Sequence, residues 1–435
     1  MKLFKRLSIA SLGGTTLSNG ATVLLGVGAG VTLARSLGPA GRGELAAALL
    51  WPWVLSLFAE MGLGYAFCFF SAKYESRFDD LWTTALACGF GLGGIAILAG
   101  VVILPWVGRG WSPQEREAMR IALGSIPFVL LVGNLSYLFL GRQRVFDYNV
   151  LRFLASLCYL LITVGIAALG HAGVKAFATG YVASQACGFV IAVYMIRRRF
   201  RPRFRLTTDL LKPLFTYALK GQLSSLSAQA NLRLDQTVMS FLFSSRQLGQ
   251  YVVAVAISGF LTPLFSALSI VLWPKVTHTS DPAAGALLSI RFVKVAVVIS
   301  LPVIVIAFLG MPLILPMFFG PGYGEAVLPA RILVGASMFQ GLNALLGNSL
   351  RGIGQPAKPA WAEGVGMVVT CILLWFLLPL WGVPGAAVAS FGAYGTVTLM
   401  ELLFLVRAAG LDLRSLVRSP NLAAVRIPEA ADLTK

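Results

Sequence analysis

"RLDQTVMSFLFSSRQLGQYVVAVAISGF" runs from Arg233 to Phe260. The chain on both sides is strongly apolar, yet the stretch opens with an arginine and an aspartate two residues apart. Side chains two residues apart on a helix point about 200° away from each other, so these charges cannot neutralise one another. A charge left unpaired in hydrocarbon costs at least about 2.5–3.5 kcal/mol. Arg233 and Asp235 therefore each need a separate partner, or water, somewhere else in the fold.

The rest of the chain fixes what that fold is. Of 435 residues, 57% are hydrophobic and only 12% charged, with a mean hydropathy of +0.81. Soluble domains carry about twice that share of charge. Apolar runs of the ~20 residues needed to cross a bilayer recur throughout. This predicts an all-α polytopic membrane protein with about twelve transmembrane helices. The first six spans fall near 10–34, 44–70, 81–107, 118–140, 149–170 and 173–196. The second six fall near 212–243, 247–273, 290–318, 325–350, 359–380 and 384–406. The charged start "MKLFKRLSIASLGG" resembles a signal peptide, but the apolar stretch after it is too long, so it reads as an uncleaved first helix.

A basic run, "RRRFRPRFR" (Arg197 to Arg205), divides the chain. We expect a six-helix lobe at 1–196, a cytoplasmic linker at 197–211, a second lobe at 212–408 and a polar tail at 409–435. Internal similarity supports the division. A shift of 206 lays "LGPAGRGELAAALLWP" on "FSSRQLGQYVVAVAIS", with Gly43 on Gly249. A shift of 212 lays "GHAGVKAFATG" on "GVPGAAVASFG", with Gly170, Gly173 and Gly180 on Gly382, Gly385 and Gly392. Six being even, both repeats enter the membrane from the same side. They are parallel and related by an axis along the membrane normal, where substrate sites lie between the halves.

Orientation follows from the basic residues. Of 35 Lys and Arg, 25 lie in the termini and the loops on their side, 8 in the alternate loops, and Lys220 and Arg233 within a span. Both termini are expected in the cytoplasm. The net charge of +18 is thus a topology signal, with anionic membrane lipids as its contact and no nucleic acid implied.

Other chemistries find little support. The five cysteines sit in apolar segments without CxxC spacing, and the two histidines form no ligand cluster, so neither metal nor cofactor is expected. "GFGLGG" from Gly89 matches a nucleotide-binding pattern but lies inside a span, where close helix packing explains it. The "NLS" at Asn134 is likewise intramembrane.

The polar residues that remain concentrate in helix 7, "KPLFTYALKGQLSSLSAQANLRLDQTVMSFLFSS". Lys220, Ser224, Ser227, Asn231 and Asp235 share one face; Gln222, Ser225, Gln229, Arg233, Gln236 and Ser240 share nearly the opposite one. Such a helix is expected between protein and a water-filled cavity. Arg233, with Gln229 and Gln236 on its face, is the candidate group for an anionic substrate, the alternative being that both charges, Arg233 and Asp235, lock helices together. Asp235, and Glu60 in helix 2, are candidate coupling or structural charges. Helix 1 adds a hydroxyl and amide cluster (Thr15, Thr16, Ser18, Asn19 and Thr22), with Asn19 a candidate hydrogen-bonding group for sugar hydroxyls and helix-to-helix contact the alternative. Prolines 263 and 274 in helix 8, and 302, 312 and 316 in helix 9, permit bending.

"LARSLGPAGRGELAAALLWP", "MGLGYAF", the run from Arg233 to Val276 ending "FSALSIVLWPKV", and "RGIGQP" together resemble the bacterial polysaccharide-transporter (O-antigen flippase) family. That family belongs to the multidrug/oligosaccharidyl-lipid/polysaccharide flippase superfamily. The resemblance covers about residues 8–408. It implies two lobes around a cationic central cavity, which maps here onto Arg233 and Lys220 as substrate-binding groups, no enzyme activity, and transfer of an undecaprenyl-pyrophosphate-linked oligosaccharide to the outer leaflet of the bacterial inner membrane. Membrane lipids and polysaccharide polymerase machinery are the further partners implied. A cation-coupled drug antiporter would share fold and length, although helix 1 lacks the carboxylates that such proteins use. A lipid II flippase would carry two extra helices. A membrane glycosyltransferase or polymerase would show a large outer loop, which this sequence lacks.

Overall fold

The computed structural model describes residues 2–205, 207–277, 279 and 281–410; the side chains of residues 2–13, 16, 220–225, 227, 228, 270 and 274 fall outside that description. The expected tail at 409–435 lies almost wholly outside it. The described chain folds into helices and short turns: α1 (Lys2–Glu60), α2 (Leu63–Lys73), α3 (Phe78–Val107), α4 (Pro113–Leu123), α5 (Ile126–Gly141), α6 (Val145–Ala168) and α7 (Val174–Phe200) precede the linker. After it come α8 (Leu211–Leu242), α9 (Ser245–Ser258), α10 (Thr262–Thr277), α11 (Pro282–Phe319), α12 (Val327–Gly352) and α13 (Ala357–Ala408).

Eight helical stretches among the described residues are long and apolar enough to cross a membrane. Two of them, Leu17–Glu60 and Ala357–Ala408, have 44 and 52 residues, about twice the ~20 that one crossing requires. Each is interrupted at one glycine with a positive φ, Gly38 (64°) and Gly382 (58°). Counting these two as double passes, and adding the more polar α8 and α12, gives twelve crossings. The loops expected around 35–43 and 381–383 are therefore absent. One left-handed glycine turns the chain in each, and Pro39 starts the next helix at once, its missing N–H being an unpaired donor there in any case.

Three expected spans are broken helices. The second stops at Met61 and Gly62 (φ 48° and 74°) before α2 resumes. The fourth divides between α4 and α5, and the eighth passes through a 3-10 turn at Gly259–Leu261.

The repeats seen in sequence are repeats in space. A Cβ on Gly43 would lie 1.6 Å from the Ser245 carbonyl oxygen, and one on Gly249 would lie 1.9 Å from that of Pro39. Under the shift of 206, Pro39 corresponds to Ser245 as Gly43 does to Gly249. Reciprocal contact of this kind arises where equivalent segments meet across a two-fold axis. Gly170 and Gly382, paired by the shift of 212, both have positive φ (72° and 58°).

Most of the hydrogen bonds between lobes gather at this end of the bundle. Arg35 Nε donates to the Phe318 carbonyl at 2.8 Å, and its Nη2 donates to that of Met317. The Tyr323 hydroxyl donates to the Ala34 carbonyl at 3.2 Å, Trp111 Nε1 to that of Ser240 at 3.2 Å, and Ser245 Oγ to Glu115. At the opposite end the linker is fastened to α3: the Arg203 and Arg205 amides donate to Asp79 Oδ1 and Thr83 Oγ1 at 3.1 and 3.0 Å.

Candidate functional site

Helix α8 presents its polar faces in opposite directions. On one face, Asp235 is buried, accepting hydrogen bonds from the Tyr251 hydroxyl of α9, from Ser390 Oγ of α13 at 3.1 Å and from the Gln236 amide at 2.6 Å. Asn231, one turn earlier, accepts from Thr370 Oγ1 of α13 at 2.7 Å. This face holds the second lobe together.

The other face meets a cavity of about 180 Å³ between the lobes. Arg233 lines it, its guanidinium carbon 5.7 Å from the centre of the Trp53 ring and its Nη1 donating to Gln236 Oε1 at 2.7 Å. Arg42 lines it from the first lobe, with Trp53 and Tyr181. Two cations face this space, and no carboxylate is among its lining residues. Arg42 Nε and Gln236 Nε2 are buried without a hydrogen-bond partner among the described residues. An unmet buried donor is costly, on the order of 1–3 kcal/mol. The cavity is thus bordered by two guanidinium side chains and an amide, with two buried N–H groups in its wall lacking acceptors.

Trp53 also borders a second cavity of about 260 Å³, lined by Ser56, Glu60, Tyr137 and Gln229 among others. The structure thus brings Arg233 and Gln236 together in the first space, and Glu60 and Gln229 in the second. Asn19 lines neither: its Oδ1 accepts from Arg152 Nη1 of α6 at 3.0 Å, while neighbouring Thr15 accepts from Asn149 at 2.9 Å and Ser18 donates to the Asn149 carbonyl. That helix 1 cluster joins α1 to α6. Lys220 lies within α8, but its side chain is outside the described residues.

Arg42, Trp53 and Tyr181 escaped sequence reading. Arg42 falls between the expected spans 10–34 and 44–70, yet it sits within helix α1. The usable signal was spacing: Arg42, Ala46, Leu49, Leu50 and Trp53 recur at helical intervals along one stripe.

Two six-helix lobes around a cation-lined cavity define a polytopic helical membrane protein. Residues 32–328 match the model of a family described as "Polysaccharide biosynthesis protein". The chain belongs to that family. Among similar proteins, the probable low-salt glycan biosynthesis flippase Agl15 of Haloferax volcanii is 24% identical over 46% of this chain and 45% of its own length. The probable flippase AglR of the same organism is 25% identical over 72% of this chain and 65% of its own. The matches therefore span less than two thirds of either relative. Among solved structures, the lipid II flippase MurJ in an inward closed conformation superposes with a TM-score of 0.75 (16% identity, 93% of this chain, 89% of that one). An inward-facing multidrug resistance MATE family transporter of the MOP superfamily gives 0.71 (16%, 92% and 96%). The last two comparisons establish the two-lobe fold.

Proposed function

We propose that this chain flips a polyprenyl-pyrophosphate-linked oligosaccharide from the inner to the outer leaflet of a bacterial cytoplasmic membrane by alternating access, for polysaccharide export. Residues 1–196 and 212–408 act as the moving lobes, 197–211 as their linker, and both termini face the cytoplasm. The observation that carries this reading is the cavity between the lobes, with Arg42 from one side, Arg233 from the other, and buried donors unpaired.

Pyrophosphate offers acceptor oxygens in the fork geometry that guanidinium groups match, and it cannot cross hydrocarbon bare. Trp53 and Tyr181 offer flat apolar faces, while Gln229, Tyr137 and Glu60 in the adjoining cavity supply hydrogen bonds for a sugar head. The polyprenyl tail stays in lipid. Glu60 is the carboxylate best placed to couple transport to a cation gradient, and polysaccharide polymerase machinery would consume the product. A drug-cation antiporter fits less well, because a cationic substrate would meet two arginines and no lining carboxylate in the first cavity.

The test is complementation of a host lacking its own copy. Arg233→Ala and Arg42→Ala should each lower surface polymer by about ten- to a hundredfold, the scale of one lost charged hydrogen bond. Lipid-linked oligosaccharide should accumulate in the inner leaflet while the protein stays at wild-type level. Normal export by Arg233→Ala at that level would sink the proposal. Unchanged glycolipids with new sensitivity to cationic drugs would move it to the antiporter.

A further inference from the structure

The largest cavity described lies away from the lobe interface, on the bilayer face of the first lobe. It is a groove of about 580 Å³ between α3 and α7, walled by Trp82, Phe90, Phe189 and Val193. From Trp82 to Phe90, and from Arg197 back to Phe189, it follows each helix for about 12 Å. Arg197 and Phe204 line its end, where α7 enters the basic linker.

Its neighbours narrow the choice of occupant. Both walls belong to stretches able to cross a membrane, Glu75–Gly110 and Val174–Phe200, so the open side faces lipid. The lower part is apolar and aromatic. The upper end is cationic, with Arg198, Arg201 and Arg203 exposed close to Arg197 in sequence, while Arg199 and Arg205 pair with Asp147 and Asp80 at 3.6 and 3.5 Å. At the junction, Trp82 is 1% exposed and its indole Nε1 has no hydrogen-bond partner among the described residues. A buried indole N–H nearly always finds an acceptor. The groove therefore leads from an apolar slot to a guanidinium, with the unmet indole donor buried in the wall between them. A glycerophospholipid presents an acyl chain, an ester carbonyl and a phosphate in the same order.

The geometry points to a dedicated binding site for an anionic glycerophospholipid in this groove. The acyl chain lies between Phe90 and Phe189, an ester carbonyl accepts from Trp82 Nε1, and the phosphate meets Arg197. Phe204 is held over the headgroup end because the linker on either side of it is fastened to α3 through Asp79 and Thr83. The bound lipid would hold the linker, and with it the start of α8, against the first lobe.

Native mass spectrometry of the full-length protein, titrated with phosphatidylglycerol or with phosphatidylcholine of the same chains, tests this independently of transport. Wild type should retain one phosphatidylglycerol in preference to phosphatidylcholine. Arg197→Gln should lose that preference by about fivefold, the scale of one basic side chain at a lipid surface. Ala87→Trp, at an exposed position in the groove wall, should block retention of both lipids while leaving a monodisperse protein. Equal retention by wild type and Ala87→Trp, or an unchanged preference in Arg197→Gln, overturns the site. Displacement of phosphatidylglycerol from wild type by equimolar polyprenyl phosphate overturns the occupant, assigning the groove to the tail of the transported lipid instead.

Discussion

Asp235 and Arg233 sit two residues apart and do different work because a helix turns them to opposite sides. Asp235 ties α8 to α9 and α13 through Tyr251 and Ser390; Arg233 faces open space and Trp53. Removing the carboxylate strands two hydroxyls that are buried with it, at a cost of about 1–3 kcal/mol. Asp235→Ala should thus lower the apparent melting temperature of the detergent-purified protein by several degrees, with Asp235→Asn intermediate because it still accepts from Tyr251. Arg233→Ala should melt close to wild type while transport is lost. If Arg233→Ala is as destabilising as Asp235→Ala, the division of labour between the two charges is wrong. The opposition of these residues was legible from helical periodicity alone. Their partners were not, since Tyr251, Ser390 and Trp53 are 16, 155 and 180 residues away along the chain, and nothing local marks them.

Elements turn on backbone approach, and here the glycines carry the information. Hydropathy marked the reversals inside α1 and α13, at 35–43 and 381–383, but not their form, because one left-handed residue, Gly38 or Gly382, replaces a whole loop. Arg42, which falls in the first of those expected loops, belongs instead to a helix wall. The repeat shift did better: Gly43 on Gly249 turned out to mark the place where the lobes touch backbone to backbone. A methyl group on Gly249 would overlap the Pro39 carbonyl, and neither backbone can yield without separating α1 from α9. We expect Gly249→Ala to loosen this end of the bundle. Labelling of Ala34→Cys, at a position 1% exposed beside Tyr323, by a membrane-impermeant maleimide should become several-fold faster in that background. Gly165→Ala, where an added Cβ meets nothing within 4 Å, should leave the rate unchanged. Equal rates in both backgrounds would show that the contact does not seal the interface.

At the scale of the whole molecule, those seals share one end. Arg35, Trp111, Ser245 and Tyr323, whose hydrogen bonds join the lobes, all lie near the loops poor in lysine and arginine. In the orientation proposed above from the charge bias, that end faces outward, and the described state is then closed outwardly, with its arginine-lined cavity beneath the seal. A flippase working by alternating access must break these contacts once per cycle, whereas a protein using the cavity only as a static site need not. Gly322 and Pro39 sit across the seal, a Cβ on Gly322 lying 3.3 Å from Cγ and Cδ of the proline ring, so cysteines at the two positions would be neighbours. With the five native cysteines replaced, Pro39→Cys combined with Gly322→Cys should cross-link on oxidation and stop surface-polymer export almost completely. Reductant should restore it, and either substitution alone should leave export largely intact. Undiminished export by the fully cross-linked protein would mean that this end never opens, and the transport cycle proposed for the two lobes would have to be abandoned.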